Sequence, residues 1–140
     1  MTMTGYRILV LGGALLSGVA AMSPGGPAPV RAPGLMALSG LEPGQWELRE
    51  HGSKAPPRRI CIGDPAQLLQ VQHPGATCRR FVVTDAANHA VVTYQCTDSG
   101  AGRTDLRVET SRLIQIDAQG VADSAPFSLS LEGRKTGECR

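Results

Sequence analysis

The chain has 140 residues, a formal net charge of +2 and an aromatic content of 4%. This length is typical of a single domain, and so small a charge gives no electrostatic case for nucleic acid or a membrane surface as a partner. With so few aromatic side chains, the chain is also a poor stacking platform for bases or sugars. A small core of this kind is often reinforced by disulfides.

The N-terminal residues have the pattern of a secretory signal peptide. A single cation, Arg7, precedes an apolar run from Ile8 to Ala21 that closes with small residues. This order of charged, apolar and small residues predicts cleavage near Ala20 or Ala21, so residues 1–21 form the signal peptide. The alternative is an uncleaved anchor, but the run is shorter than the roughly 20 apolar residues that a spanning helix needs.

The segment that follows, residues 22–40, is rich in Pro, Gly and Ala and has no sustained periodicity. Such a composition predicts a flexible tether that is dispensable for folding. The folded domain is therefore expected to span residues 41–140.

From Leu41 onward the sequence predicts a mainly β domain. The stretch "GQWELRE" (44–50) alternates between apolar and polar residues, which places Trp46 and Leu48 on the inward face of a first strand. "RRICIG" (58–63) predicts a second, short strand.

One short helix is expected next, in the stretch "DPAQLLQVQ". Asp64 can cap its N-terminus and Pro65 suits its first position, so the helix should run to about Val71. The dipeptide "PG" at residues 74–75 then ends it.

The stretch "CRRFVVTDAANHAVVTYQC" predicts a hairpin with a cysteine at each end. If the hairpin is centred on Ala87, Val83 faces Val91 and Cys78 lies directly opposite Cys96. Opposed residues of an antiparallel pair are close enough for a disulfide.

This register makes Cys78–Cys96 the first predicted disulfide and leaves Cys61 to pair with Cys139. An even number of cysteines in a short exported chain supports a disulfide framework. The alternative is a Cys61–Cys78 bond, which would close off the short helix instead.

The C-terminal third predicts further strands joined by short turns. A turn is expected at 99–103, a long amphipathic strand at 104–117 with Arg112 and Leu113 as a bulge, and a second turn at 117–120. The last strand, 126–133, should direct three apolar side chains inward: Phe127, Leu129 and Leu131. Successive strands with short turns form antiparallel neighbours, so the expected fold is a meander, built as a curved sheet or a small barrel-like sandwich.

No motif of this sequence carries a recognisable chemistry. There is no C-x-x-C pair for redox or zinc, no H-x-x-x-H, and no serine in a nucleophile elbow. The histidines, His51, His73 and His89, sit in or beside predicted turns and are expected to be exposed. We therefore expect no catalytic residue, metal or cofactor, and replacing all three histidines should leave metal content and stability unchanged.

Several short motifs together resemble the "domain of unknown function 3617" family of small exported bacterial proteins. They are "LEPGQWE" (41–47), Cys61 after the second strand, "YQC" (94–96) and "RKTGEC" (134–139). The resemblance covers about residues 41–139. The structural motif positions that it marks are Pro43, Gly44, Trp46, Glu47, Tyr94, Arg134 and Gly137. The family has no assigned reaction, so the resemblance implies no catalytic role; it implies a periplasmic setting and supports the four-cysteine framework.

Two functional hypotheses follow, and both describe an exported protein that is not an enzyme. The first is a monomeric, non-catalytic envelope protein that binds or supports another envelope component and has no sizeable apolar pocket. The second is a carrier of a small ligand or metal that uses the open end of the sheet, which requires such a pocket. An inhibitor of a hydrolase is a third, weaker hypothesis.

Overall fold

The computed structural model describes residues 34–140, so the predicted signal peptide and residues 22–33 of the predicted tether lie outside the described residues. Within these described residues, seven strands form one sheet in which every pairing is antiparallel, with the order β2-β1-β7-β6-β5-β4-β3. The strands are β1 (Gly44–Glu50), β2 (Arg58–Ile62), β3 (Cys78–Ala86), β4 (His89–Cys96), β5 (Gly100–Thr110), β6 (Leu113–Ala122) and β7 (Ala125–Gly137). The predicted antiparallel meander is confirmed. Within residues 34–140, no helix is long and apolar enough to cross a membrane.

In the described part of the chain, two 3₁₀ helices, Met36–Leu38 and Pro65–Gln70, pack on the face of the sheet that carries the core, which we call the inner face. The second 3₁₀ helix contacts both β2 and β5, which are four positions apart in the sheet. Strands lie about 4.8 Å apart, so one short helix can reach both only because the sheet curves around it. Apolar side chains of the chain itself occupy the inner face, among them Leu68 and Leu69.

The second 3₁₀ helix begins where the sequence predicts. The Asp64 side chain accepts a hydrogen bond from the Ala66 N–H at 2.9 Å, and Gln67 Oε1 accepts one from the Asp64 backbone N–H at 3.2 Å, which completes a capping box. Its leucines, Leu68 and Leu69, are buried against the sheet. The segment is a 3₁₀ rather than an α-helix and ends at Gln70.

The expectation that residues up to 40 form a flexible tether is wrong for its last part. Leu35, Ala37 and Leu38 are buried in the core, and the Met36 N–H donates to Asp85 Oδ1 at the end of β3 with a distance of 2.7 Å. The folded unit therefore starts before Leu41. Composition misled the prediction because three apolar side chains among small residues suffice to cover one end of the inner face.

We expect Leu38→Ala to lower the free energy of unfolding by about 2–3 kcal/mol, because Leu38 is buried and its removal leaves a cavity. The matched control is Met36→Ala in the same turn, whose side chain is 52% exposed and whose replacement should change stability by less than about 0.5 kcal/mol. Chemical denaturation with the disulfides intact measures both. Equal effects of the two substitutions would contradict the packing of this segment.

The β3–β4 hairpin has the predicted Cys78–Cys96 register, but the prediction near the turn is wrong. The turn consists of two residues, 87 and 88, and Thr84, not Val83, lies opposite Val91. A bulge at Val83 absorbs the one-residue difference and restores the register from Val82 to Cys78. The two-residue turn and the bulge thus shift the pairing by one residue in opposite directions, which leaves Cys78 opposite Cys96.

The predicted long strand at 104–117 is in fact a hairpin. Thr110 is paired with Leu113 across a two-residue turn at Ser111 and Arg112, so these positions are a turn and not a bulge. The predicted turns at 99–103 and 117–120 are also wrong, because most of those residues are paired between β5 and β6.

The structure pairs Cys61 with Cys139 and Cys78 with Cys96, as the register argument predicts. The Cys78–Cys96 bond closes the β3–β4 hairpin at its open end. The Cys61–Cys139 bond joins edge strand β2 to the end of the chain across a sequence separation of 78 residues. Disulfides of this kind persist in oxidising compartments, so the chain is suited to a setting outside the reducing cytosol.

Candidate functional site

A row of directly opposed residues crosses four strands near one end of the sheet. It runs from Tyr94 on β4 through Gly102 on β5 and Gly120 on β6 to Phe127 on β7. A Cβ added to Gly102 would lie 2.5 Å from the Tyr94 hydroxyl oxygen. The glycine thus leaves space for the Tyr94 ring, which covers the exposed backbone of the strand.

His73 lies on this row, and the prediction that it is exposed is wrong: only 4% of the residue is accessible. Its ring makes edge contacts with the Tyr94 ring at 5.4 Å and with the Phe127 ring at 5.9 Å between centroids. A Cβ on Gly100 would lie 3.1 Å from His73 Nε2. Because Gly100 on β5 has no side chain, the strand leaves room for the His73 imidazole.

Both ring nitrogens of His73 are hydrogen-bonded. Nε2 is 3.0 Å from the Ser99 carbonyl oxygen and 3.1 Å from that of Val121, while Nδ1 is 3.1 Å from the Tyr94 hydroxyl. Because carbonyl oxygens only accept, the proton is assigned to Nε2, and Nδ1 accepts from Tyr94. Burial raises the pKa of Tyr94, which favours the protonated hydroxyl that this bond requires.

This arrangement does not match that of an activated nucleophile. Ser99 Oγ is buried and, within residues 34–140, has no hydrogen-bond partner, yet His73 contacts the Ser99 carbonyl and not its hydroxyl. Both nitrogens of His73 are bonded to other groups, so His73 is not placed to act as a base for Ser99. The cluster of His73, Tyr94 and Phe127 instead attaches the link after the second 3₁₀ helix to β4, β5, β6 and β7.

The other two histidines lie apart from this cluster. His51 is exposed as predicted, with Nε2 3.0 Å from Gln115 Oε1. His89 is half-buried and lies 2.9 Å from Asp105 Oδ1. In the part of the chain that the structure describes, no group of three His, Cys, Asp or Glu side chains could hold a metal ion.

The motif positions of the N- and C-terminal strands meet at one corner of the sheet. Trp46 is fully buried, as predicted, and its Nε1–H donates to the Glu42 carbonyl at 3.0 Å. Gly44 has φ +141°, and a Cβ there would lie 2.6 Å from Lys135 Cε. Because Gly44 has no side chain, the side chain of Lys135, which belongs to the motif "RKTGEC", can cross β1 at this point.

The remaining motif positions lie on the same two strands or at their ends. Glu47 is opposite Arg134 in the β1–β7 pairing, although its carboxylate bonds Arg59 on β2 at 3.0 Å. Gly137 is opposite Gln45, and Pro43 is exposed just before β1. These residues shape the meeting of β1, β2 and β7, and Tyr94 is the one motif position that belongs to the His73 cluster.

Lys135 is held between two carboxylates at this corner. Its Nζ lies 3.1 Å from Glu42 Oε2 and 3.1 Å from Glu138 Oε1, and 8% of its side chain is exposed. The hydrogen bond to Glu42 is the main cause that raises the pKa of Lys135. The hydrogen bond from Lys135, with a second one from Ser111, lowers the pKa of Glu42.

The pair predicts a loss of stability in acid. Because the pKa of Glu42 in the folded chain lies below its ordinary value of 4.5, its contribution is present above pH 4.5 and disappears as pH falls through the folded pKa. Glu42→Gln should therefore be less stable than wild type at neutral pH and differ less from it in acid. Chemical denaturation from pH 7 downward measures this, and a difference independent of pH would contradict it.

Two of the surface depressions in residues 34–140 bear on the functional hypotheses. A cleft of about 260 Å³ lies between β2, the second 3₁₀ helix and Arg80, with Arg58 also on its wall. A broad, shallow depression of about 600 Å³ lies along the glycine row, where Val121 and Phe127 form apolar surface and Arg103 and Gln119 add polar groups.

Edge strand β3 carries the largest run of exposed apolar side chains in the described residues. Phe81, Val82 and Val83 are consecutive, and they are 53%, 58% and 54% exposed. Arg79 precedes them, with its guanidinium carbon 5.7 Å from the centre of the Phe81 ring. The sequence predicted the strand but not its place at the edge, which depends on the whole order of strands.

No family model, no curated protein and no solved structure matches this chain.

Proposed function

We propose that this chain is a non-catalytic protein of the bacterial periplasm, exported by a cleaved signal peptide, which binds or supports another component of the cell envelope. We also propose that it is a member of the "domain of unknown function 3617" family, on the motifs that the sequence carries. The observation that carries the proposal is that the inner face is filled rather than hollow. Side chains from both 3₁₀ helices occupy it, among them Leu38, Leu68 and Leu69.

The use of the polar groups supports the same proposal. Both ring nitrogens of His73, the most buried histidine, form hydrogen bonds within the chain. Lys135 donates hydrogen bonds to two carboxylates. These partners support a structural role for both side chains. The sheet therefore offers a partner a surface, and two disulfides make that surface rigid.

The small-ligand carrier is the second candidate, and the cleft beside Arg80 is the observation in its favour. Ile60, Ile62 and Val71 line it together with the arginines Arg58 and Arg80. Its volume of about 260 Å³ lies just below the roughly 300–1,000 Å³ of common ligand pockets, so we rank it after binding to another macromolecule.

Site-specific photo-crosslinking in the envelope tests the proposal. A photoreactive residue at Val121, beside the shallow depression, should form one heteromeric adduct that the same residue at exposed Lys54 does not form. The captured protein, once purified, should bind the exported chain directly and lose affinity for a Val121→Asp variant. No heteromeric adduct, together with a small molecule that copurifies in native mass spectrometry and is lost in Arg80→Ala, would replace the proposal by the carrier.

A further inference from the structure

We propose that the cleft between β2 and β3 binds a small amphiphile, whose anionic head group is held by Arg58 and Arg80 and whose apolar chain lies against β2. This cleft is a different surface from the shallow depression beside Val121. Binding of a small molecule in the cleft and capture of an envelope partner at the depression can therefore each succeed or fail alone.

The curvature of the sheet brings its two edge strands to one opening. β2 and β3 are at opposite ends of the strand order, yet residues of both line the cleft, together with the second 3₁₀ helix. Directly opposed residues of an antiparallel pair share a face of the sheet. Arg58 lies opposite buried Leu48, and Arg80 lies opposite buried Tyr94, so both arginines are on the side of the inner face.

The cleft carries positive charge without a compensating acid. No Asp or Glu lines it, and within residues 34–140 neither Arg58 nor Arg80 forms an ion pair. Arg59, the next residue of β2, differs in this respect, because its Nε lies 3.0 Å from Glu47 Oε1. Two guanidinium groups that share a concave site and lack a carboxylate favour an anionic ligand.

A neutral group holds Arg80 in position. Arg80 Nη2 donates a hydrogen bond to Gln70 Oε1 at 2.6 Å. Gln70 is buried, and its Nε2 donates to the carbonyls of His73 at 3.1 Å and Ala76 at 3.0 Å. The amide fixes the guanidinium without neutralising its charge. Because a guanidinium has five N–H donors, others remain for the oxygens of a carboxylate or phosphate.

The rest of the cleft wall calls for an apolar group beside the anion. Ile60, Ile62 and Val71 line it, and its volume of about 260 Å³ is that of a site for a small molecule. An inorganic anion would leave these side chains uncovered, and an uncharged apolar molecule would leave both arginines without a partner. An amphiphile with one anionic head group satisfies both parts of the wall.

Isothermal titration calorimetry of the exported protein with octanoate tests the proposal. Wild type should show saturable binding at one site. Arg80→Gln and Arg58→Gln should each weaken binding by about tenfold or more, because each removes hydrogen bonds to a charged group. The matched control is Arg79→Gln, which replaces the neighbouring arginine, opposite exposed Gln95 on the other face of the sheet, and should leave the affinity unchanged.

Three further ligands separate the parts of the site. Acetate lacks the chain, octanol lacks the charge and octylammonium reverses it, so each should bind more weakly than octanoate by about tenfold or more. Thermal unfolding shows whether each variant is folded. Arg58, which has no hydrogen bond to another side chain in residues 34–140, keeps the test decisive if Arg80→Gln disturbs Gln70. Wild type that binds no octanoate, or binds octanol equally well, would overturn the proposal, as would an equal loss in Arg79→Gln.

Discussion

Replacement of His73 by alanine is expected to lower the free energy of unfolding by about 2–4 kcal/mol. The substitution leaves the Tyr94 hydroxyl and the carbonyls of Ser99 and Val121 without the partner that the imidazole provides, in a region where water has little access. It also removes the edge contacts with Tyr94 and Phe127. Urea denaturation of the oxidised protein measures the loss.

Two comparisons make this test specific. His51→Ala, at an exposed position with a single side-chain contact, should change stability by less than about 0.5 kcal/mol. Tyr94→Phe removes only the hydroxyl, and its effect should be coupled to that of His73→Ala by about 0.5–3 kcal/mol in a double-mutant cycle, since the two groups share one hydrogen bond. Additive effects of the two substitutions would contradict the bond between them.

The same result bears on the triple histidine variant. If all three histidines were exposed, the triple variant would be as stable as wild type. Because His73 is buried, we expect the triple variant to lose as much stability as His73→Ala alone. Its unchanged metal content stays a prediction, which metal analysis of the purified wild type and the triple variant tests.

Removal of the Cys61–Cys139 disulfide is expected to cost more than removal of Cys78–Cys96. The bonds close loops with sequence separations of 78 and 18 residues. By the chain-entropy relation the longer loop contributes about 4–5 kcal/mol and the shorter about 3 kcal/mol. A small domain has on the order of 5–10 kcal/mol of net stability, so Cys61→Ser with Cys139→Ser should bring it close to unfolding.

The paired variant Cys78→Ser with Cys96→Ser is the matched control, because it also removes one disulfide and exchanges the same atoms. Its hairpin is held by the β3–β4 ladder even without the bond. Urea midpoints of the two double variants, measured side by side, give the order. A larger loss from the hairpin bond would contradict the loop-length argument and indicate that the β2 edge is held mainly by its contacts with β1.

The strands of the domain were predictable where a period-2 pattern meets a buried face. Trp46 and Leu48 alternate with polar residues, and they are buried as this pattern requires. The capping of the second 3₁₀ helix was also local, since Asp64, Pro65 and Gln67 are close in sequence. The Cys78–Cys96 register agrees with the prediction from opposed residues because the two-residue turn and the bulge at Val83, which alternation did not reveal, shift the pairing in opposite directions.

Alternation could not locate the β5–β6 turn, and the reason lies in its parity. The inward residues of β5, such as Leu106, and those of β6, such as Ile116, have even numbers, so a two-residue turn with its register shift preserves the pattern of an unbroken strand. A bulge and a hairpin then look alike in the sequence. Only the pairing of Thr110 with Leu113 separates them.

The sequence by itself determined the class of fold and the inward face of the first strand, because each depends on spacing along the chain, and it favoured the disulfide partners that the structure shows. The tertiary structure alone decided that Leu35 and Leu38 belong to the core, that His73 is buried on a row of glycines, and that β3 lies at an open edge. Each of these depends on contacts between segments far apart in sequence. Local composition carries no information about which distant surface will cover a residue, so turn-like surroundings concealed a buried histidine.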